Sequence, residues 1–460
     1  MASQVDQLLA GKQDLERRRI PHRRQGVGQE IWPSGGVWSE QSLVQRALGR
    51  GNHNEYQKPS TKGIVVHLQS PGTNGILTPL QSETYDVPMQ AVNGKLIHSF
   101  ITERSEARIS VIKKQIIGAF STKAMLAYEH HIDHNIAYLM DRFAACEQNK
   151  DINIASWNTF FAMDTICNIA FSDSQGLMER QADIGRTLEG GRQRLEHWHY
   201  WQSLPWLERL IFKNPWALRS NQKSSVLVQL ATERLKDRLE KGGRESFSDL
   251  LDRYMQAREK DPTTFTLSLI TGLTMSIIAA GGETTSSTIG VTLYYLLKNP
   301  RMLAKLKDEI NMANLSYPPS WNEVSRLPYL DACIKEAGRL QPLLLDPLER
   351  EVPVESGGME ICGVFIPGGT IVAVNTHALN FHPDVWGENP HEFRPERWID
   401  CDEQQLQKMT RSDLFFSGGR RICIGQHVAL VEMKKYLPAL LSKFDVSEEE
   451  GGKPSLFFHP

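Results

Sequence analysis

The chain has 460 residues, 40% of them hydrophobic, and its 52 Lys+Arg against 54 Asp+Glu leave a formal net charge of −2. That balance gives no electrostatic reason to expect a nucleic-acid partner, and the length is ample for a large buried core. The six cysteines, at 146, 167, 333, 362, 401 and 423, form no CxxC pair, so neither a zinc site nor a disulfide framework is expected and a reducing, intracellular compartment fits.

Residues 1–80 are the least readable part. The first thirty are polar and basic with no long apolar run, so neither a signal peptide nor a membrane anchor is visible. The cluster from Glu16 to Arg24 reads as a solvated face or a disordered arm, with attraction to an anionic membrane surface as the weaker alternative. Glycines and prolines break the pattern often, and Gly63 to Leu68 is a short candidate strand.

From Thr84-Tyr85-Asp86-Val87-Pro88 onward the chain becomes helical in character. Glu103 to Ser121 reads as a helix carrying Lys113 and Lys114. Apolar residues recur at three- and four-residue spacing in Tyr128 to Phe143, Trp157 to Phe171, Val226 to Leu239 and Phe247 to Ala257. Between them lie Trp198, Tyr200, Trp201, Trp206 and Phe212, most of which are expected in the core. Phe265 to Leu297 is an apolar helix interrupted by Gly281-Gly282-Glu283-Thr284-Thr285. Two interior glycines cost about 1 kcal/mol each against alanine, and a carboxylate in apolar surroundings is expensive. The pattern permits a kink or local bulge. Such a break serves either chemistry or only a threonine that satisfies a carbonyl.

Helices over Met302 to Met312 and Tyr329 to Leu340 follow, the second placing Glu336 and Arg339 on one face. Met359 to Val374 reads as a β-hairpin turning near Gly363, and Ala429 to Phe444 as an amphipathic helix. Just before that last helix stands Phe416-Ser417-Gly418-Gly419-Arg420-Arg421-Ile422-Cys423-Ile424-Gly425. A cysteine between glycines at a helix N-terminus suits a thiolate: the helix end favours the anion, and glycine lets backbone N–H groups approach the sulfur.

The spacing of Phe416, Gly419, Arg421, Cys423 and Gly425 resembles the haem-binding loop of the cytochrome P-450 superfamily, the haem-thiolate monooxygenases. Ala280–Thr285, Glu336–Arg339 and Phe393–Trp398 stand in the order that family requires, and the wording of the second half is most similar to fungal pisatin-demethylase-like members. The resemblance implies a mainly α fold with small β elements, forming one large domain over residues 81–460 around a buried haem b. It implies Cys423 as the axial iron ligand, with Phe416, Gly419, Arg421 and Gly425 shaping the haem loop. Glu283 and Thr284 would handle protons and dioxygen. Lys113 would pair with a haem propionate, while Ile109 stands where the family often has an aromatic or histidine contact. Glu336 and Arg339 would be locked to Arg397 in a structural triad. Leu343 to Leu348 would pass over the haem and present an apolar face to substrate. The implied reaction puts one oxygen atom from O2 into a C–H bond of an apolar small molecule, in fungal specialised metabolism. Electrons would come from NADPH through a separate flavoprotein reductase docked near Arg420, Lys434 and Lys435. A monomer at the cytoplasmic face of the endoplasmic reticulum is implied, although no anchor is visible. The C-terminal hairpin is expected to be short or absent. The alternative is therefore a haem-binding member without turnover, its termini too short to complete the pocket.

Overall fold

The computed structural model describes residues 80–146, 152–220, 224–240 and 249–448, except 345, 347 and 362, and the backbone of 456–459. The expected strand at 63–68 and the basic cluster at 16–24 lie outside the described residues. All described residues belong to one compact unit.

The principal helices are α1 (Glu106–Ile116), α2 (Thr122–Ala144), α3 (Ile154–Phe171), α4 (Thr187–Trp201), α5 (Pro205–Phe212), α6 (Pro215–Ser220), α7 (Val226–Glu240), α8 (Leu250–Lys260), α9 (Leu267–Lys298), α10 (Pro300–Ala313), α11 (Pro328–Leu340), α12 (Glu403–Ser412) and α13 (Gln426–Lys443). The strands are β1 (Leu80–Gln81), β2 (Gln90–Val92), β3 (Lys95–Ile97), β4 (Arg350–Glu351), β5 (Gly358–Ile361), β6 (Val364–Pro367), β7 (Ile371–Val372), β8 (Asp445–Glu448) and β9 (Leu456–His459). β1, β4 and β7 form a small antiparallel sheet, and the rest pair two by two. This is a mainly α fold with small sheets.

Local chemistry explains most helix ends. Ser105 accepts from the Arg108 N–H, Ser121 from Ala124, Asn153 from Ser156, Asp249 from Asp252 and Thr266 from Leu269, so each helix starts on a side-chain cap. The single helix expected over 103–121 begins instead at Glu106, behind the Ser105 cap, and tightens to a 3₁₀ turn from Ile117. β5 and β6 meet at Gly363, whose φ of +78° is the left-handed geometry of a tight hairpin turn. Ile371–Val372, expected to extend that hairpin, pairs with β4 instead. At the C-terminal end, where the hairpin was expected to be short or absent, β8 and β9 pair in register from Asp445↔His459 to Glu448↔Leu456.

α9 runs through the core. It is long and apolar enough to cross a membrane by composition, yet half of its most apolar stretch is buried inside the fold. The helix is not interrupted at Gly281-Gly282 but runs as one element from Leu267 to Lys298. The glycines serve close packing. A Cβ at Gly281 would lie 2.5 Å from Ile166 Cγ1 and one at Gly282 2.6 Å from Met163 Cε, so α3 crosses α9 here at near-backbone contact. Gly272 is tighter still: a Cβ there would fall 1.8 Å from the carbonyl oxygen of His98, just past β3. Backbone cannot rotate aside as a side chain can. Gly272→Ala is therefore expected to cost about 3 kcal/mol or more, at the upper end for overpacking. Chemical denaturation of the variant would show it, and an unchanged midpoint would refute this packing.

Two further expectations fail. Tyr200, Trp206 and Phe212 are 77%, 61% and 46% exposed, so they are not core residues. They belong to the surface formed by the end of α4 and by α5 and α6, with Leu204, Leu210, Ile211 and Trp216 exposed beside them. Lys434 and Lys435, considered for partner docking, are buried on α13. Lys434 pairs with Asp331 at 2.6 Å, and Lys435 with Glu129 and Asp133. Only Arg420 of that group is exposed.

Candidate active site

The cysteine loop is built by backbone geometry. Ser417 and Gly419 both take left-handed conformations, with φ of +61° and +65°. The Ser417 N–H donates to Leu414 O at 2.8 Å, and the Cys423 N–H returns to Phe416 O at 2.9 Å, closing the loop on itself. Gly419 supplies a conformation that a side chain would resist. Gly425 caps α13 and stands against the sulfur: its Cβ would lie 4.0 Å from Cys423 Sγ.

Cys423 is exposed, unlike Cys167 and Cys333, which are buried. Desolvation raises its thiol pKa above the ordinary value, while the N–H groups of Gly425 and Gln426 and the Lys113 ammonium pull it down. Desolvation outweighs these groups, so the thiol stays above its ordinary value, while each of them lowers the cost of the thiolate as a helix N-terminus should.

Lys113 lies within electrostatic reach of the sulfur, Arg421 within reach of Lys113, and Arg350 shares Tyr85 with Arg421. Lys113, on α1, donates to the Arg420 carbonyl, and desolvation and the neighbouring Arg421 lower its pKa. Arg421 reaches back to α1, its Nε donating to Glu106 Oε1 at 2.8 Å and its Nη2 to Glu103 O at 2.9 Å. Its Nη1 is buried with no partner among the described residues. Arg350, on β4, donates to Tyr85 Oη at 2.6 Å, and Tyr85 lies within electrostatic reach of both Arg350 and Arg421. Sequence reasoning missed Arg350 and Tyr85. The available signal was their position: Arg350 lies two residues after Leu343–Leu348, and Tyr85 sits within the Thr84–Pro88 stretch. Ile109 is buried and offers no polar contact.

One face of α9 is open. Ala280, Thr284 and Ser287, spaced at four and three residues, are exposed on a helix whose neighbouring positions Gly282, Thr285, Ser286 and Thr288 are buried. Thr284 Oγ1 donates to the Ala280 carbonyl at 2.6 Å, a bond that leaves its oxygen lone pairs available. The Glu283 carboxyl points toward α4, where a Cβ at Gly191 would meet it at 3.9 Å. Desolvation raises the Glu283 pKa, opposed by Arg192 and reinforced by Asp183.

Behind the loop, Glu336 is fully buried and accepts from every side. Arg339 binds it through Nε at 2.9 Å and Nη2 at 2.8 Å, Arg397 through Nε at 2.7 Å, Trp398 through Nε1 at 3.0 Å and Arg394 through its backbone N–H at 3.1 Å. The arginines spend their other donors on the carbonyls of Asn380, Trp386, Asn389 and Glu392. Gly338 connects this network to the loop, since a Cβ there would sit 2.7 Å from the Phe415 ring. Phe415 in turn packs on Phe416 with ring centroids 4.3 Å apart.

A haem would require an exposed thiolate, a flat approach and cations for two carboxylates. The residues present fit: the Cys423 thiol is accessible, the loop beside it is glycine, and the buried Arg421 Nη1 is an uncommitted donor.

The cytochrome P450 family model matches residues 83–460. The chain is 32% identical over 382 residues to a cytochrome P450 monooxygenase of Aspergillus terreus, covering 80% of this chain and 77% of that protein. It is 33% identical to cytochrome P450 monooxygenase cicH of Emericella nidulans, covering 81% and 76%. It is 29% identical to cytochrome P450 monooxygenase asR2 of Sarocladium schorii, covering 76% and 71%. The chain belongs to the cytochrome P450 family. It is accordingly an oxygen-incorporating oxidoreductase, and membership implies haem.

Proposed function

We propose that residues 81–460 form a haem-thiolate monooxygenase domain that inserts one atom of O2 into a C–H bond of a small molecule with a largely apolar body, in fungal secondary metabolism. One observation carries the reading: the exposed Cys423 thiol, at a helix N-terminus, stands beside cations of which one has an uncommitted buried donor. That donor set matches an iron porphyrin bearing two carboxylates. Haem bound there supplies the oxygen activation and electron storage that side chains cannot.

The chain's own residues orient and supply. Cys423 would hold the iron through its sulfur, and the Gly425 and Gln426 N–H groups would offset part of the desolvation cost of its thiolate. Phe416, Gly419 and Gly425 shape the loop around it. Arg421, Lys113 and Arg350 are the cations that would neutralise the carboxylates of a bound haem. Thr284 holds a hydroxyl on the open face of α9, and Glu283 passes protons inward from the α4 side. Glu336, Arg339 and Arg397 keep the loop in place and touch no reacting atom. Electrons come from NADPH through a separate flavoprotein reductase. Arg420 remains for docking that partner.

The difference spectrum of the reduced chain with carbon monoxide tests the haem-thiolate reading: a red-shifted Soret band supports it, and a band at the position of haem without thiolate sinks it. The raised pKa of Glu283 sets a pH dependence. Its protonated, donating form persists to higher pH than for an ordinary carboxyl and is lost as pH rises through the folded-state value. Glu283→Gln is expected to lower coupled turnover roughly tenfold to a hundredfold, the scale of lost proton transfer. It should also flatten the alkaline fall of the wild-type profile, and an identical profile would remove Glu283 from the relay. The exposed surface of Tyr200, Trp206, Leu210 and Trp216 supports contact with the cytoplasmic face of the endoplasmic reticulum. Vesicle flotation with Trp206→Glu and Trp216→Glu checks this, and undiminished binding would assign attachment elsewhere.

A further inference from the structure

The inner face of α4 carries Thr187, Gly191, Arg194 and Trp198 at helical spacing. Gly191 abuts Glu283 of α9. Trp198 donates to Thr84 Oγ1 at 3.1 Å and packs on Tyr85 with centroids 5.5 Å apart. Tyr85 is the residue that Arg350 binds beside Arg421. Arg194 therefore sits on the face that looks from α4 toward both α9 and the thiolate side.

Its chemistry is unusual. Arg194 Nε donates to Pro88 O at 3.0 Å, but its Nη2 is buried with no hydrogen-bond partner among the described residues. Desolvation pulls the guanidinium pKa down to about 10, and no carboxylate opposes it. The nearby acids are already engaged. Glu208 is buried and bound by both Lys213 and His197, and Asp86 pairs with Arg104 at 3.2 Å. Lys213 adds a second buried cation whose charge reaches Arg194, and its own ammonium is committed to Glu208 and Val87 O. The cluster thus holds one guanidinium more than its acids balance. A buried charge without a partner is costly and is kept where something else completes it.

We propose that Arg194 is a substrate-anchoring residue, and that the substrate carries a carboxylate which its free guanidinium edge binds. The substrate class is then amphipathic: an apolar body over the Cys423 side and a carboxylate at the α4 end. This deepens the proposed function and rests on it, because a substrate held here is one positioned over the thiolate site. A planar guanidinium suits a carboxylate better than any neutral group of the same shape.

The test uses a matched pair, 2-naphthoate and 2-naphthamide, alike in shape and differing in charge. Isothermal titration calorimetry of the full chain is expected to give the acid at least about tenfold tighter binding, the scale of a hydrogen bond to a charged group. Arg194→Gln should abolish that preference, and Arg194→Lys should retain part of it. An acid bound no better than the amide by the wild type overturns the proposal, as does a preference that survives Arg194→Gln. If Arg194→Gln does not fold, the wild type and Arg194→Lys still decide. The carbon monoxide spectrum is recorded on the same samples. A missing thiolate band with the acid preference intact would count against the haem-thiolate reading alone, and a normal band without preference against Arg194 alone.

Discussion

Cys423→Ala is expected to abolish the red-shifted carbon monoxide band and all reductase-supported monooxygenation, leaving the fold intact. The side chain is small and exposed, so its removal opens no core cavity. The buried thiols cannot replace it. Burial pushes Cys167 up to about 12 and raises Cys333 well above its ordinary value, so both stay protonated and enclosed. Desolvation also raises Cys401. Desolvation raises the Cys423 thiol as well, but Cys423 alone among these is exposed at a helix N-terminus, where two backbone N–H groups and an ammonium oppose that rise. The measurement is the spectrum of variant and wild type side by side, with circular dichroism as the folding control. A variant that kept the red-shifted band would remove Cys423 as ligand.

Glu336→Ala is expected to be among the most destabilising single changes in the chain. It strips from two guanidiniums, 0% and 5% exposed, the only carboxylate that binds them among the described residues, and also unpairs Trp398 Nε1 and the Arg394 N–H. Breaking a buried ion pair by deleting one partner costs about 3–5 kcal/mol, against a total stability of roughly 5–15 kcal/mol for a domain. The variant should unfold at markedly lower denaturant and accumulate poorly. Glu336→Gln keeps the shape and some acceptor capacity, so it should fall between the two. Because Gly338 of the same helix packs on Phe415, the Gln variant should also loosen the loop and show a partial shift from the red-shifted to the shorter-wavelength band. Equal stability of all three chains would mean that the arginines find water instead of needing the acid.

These two sites were legible for different reasons. Cys423 and its glycines act through local backbone geometry, which short spacing in the chain encodes directly. Glu336 and Arg339 were visible as an i,i+3 pair, and Arg397 as the expected third member. The carbonyls of Asn380, Trp386 and Glu392, which absorb the remaining donors, carry no side-chain signature, so only folding reveals them. Gly281 and Gly282 were noticed as a break that permits a bend, and the structure gives them a packing role. A glycine pair in a helix signals either a bend or a close neighbour, and composition does not distinguish the two. Ile166 and Met163, more than a hundred residues away, decide it.

Lys434, Lys435 and the aromatics of α5 failed for a complementary reason. Residue type sets an average preference for burial, and partners from distant elements override it. Asp331, Glu129 and Asp133 draw two lysines inside, while α5 and α6 lie where nothing described covers their apolar side. The sequence by itself determined the helical class and the family and marked out the Cys423 loop, because each rests on periodicity or contiguous motif. The tertiary structure alone decided that Gly272 must admit the His98 carbonyl, that Arg350 and Tyr85 join the cationic side of the site, and that Arg194 is left without a carboxylate. Each of these is set by which distant atoms share a small volume, and no pattern along one strand of chain specifies that.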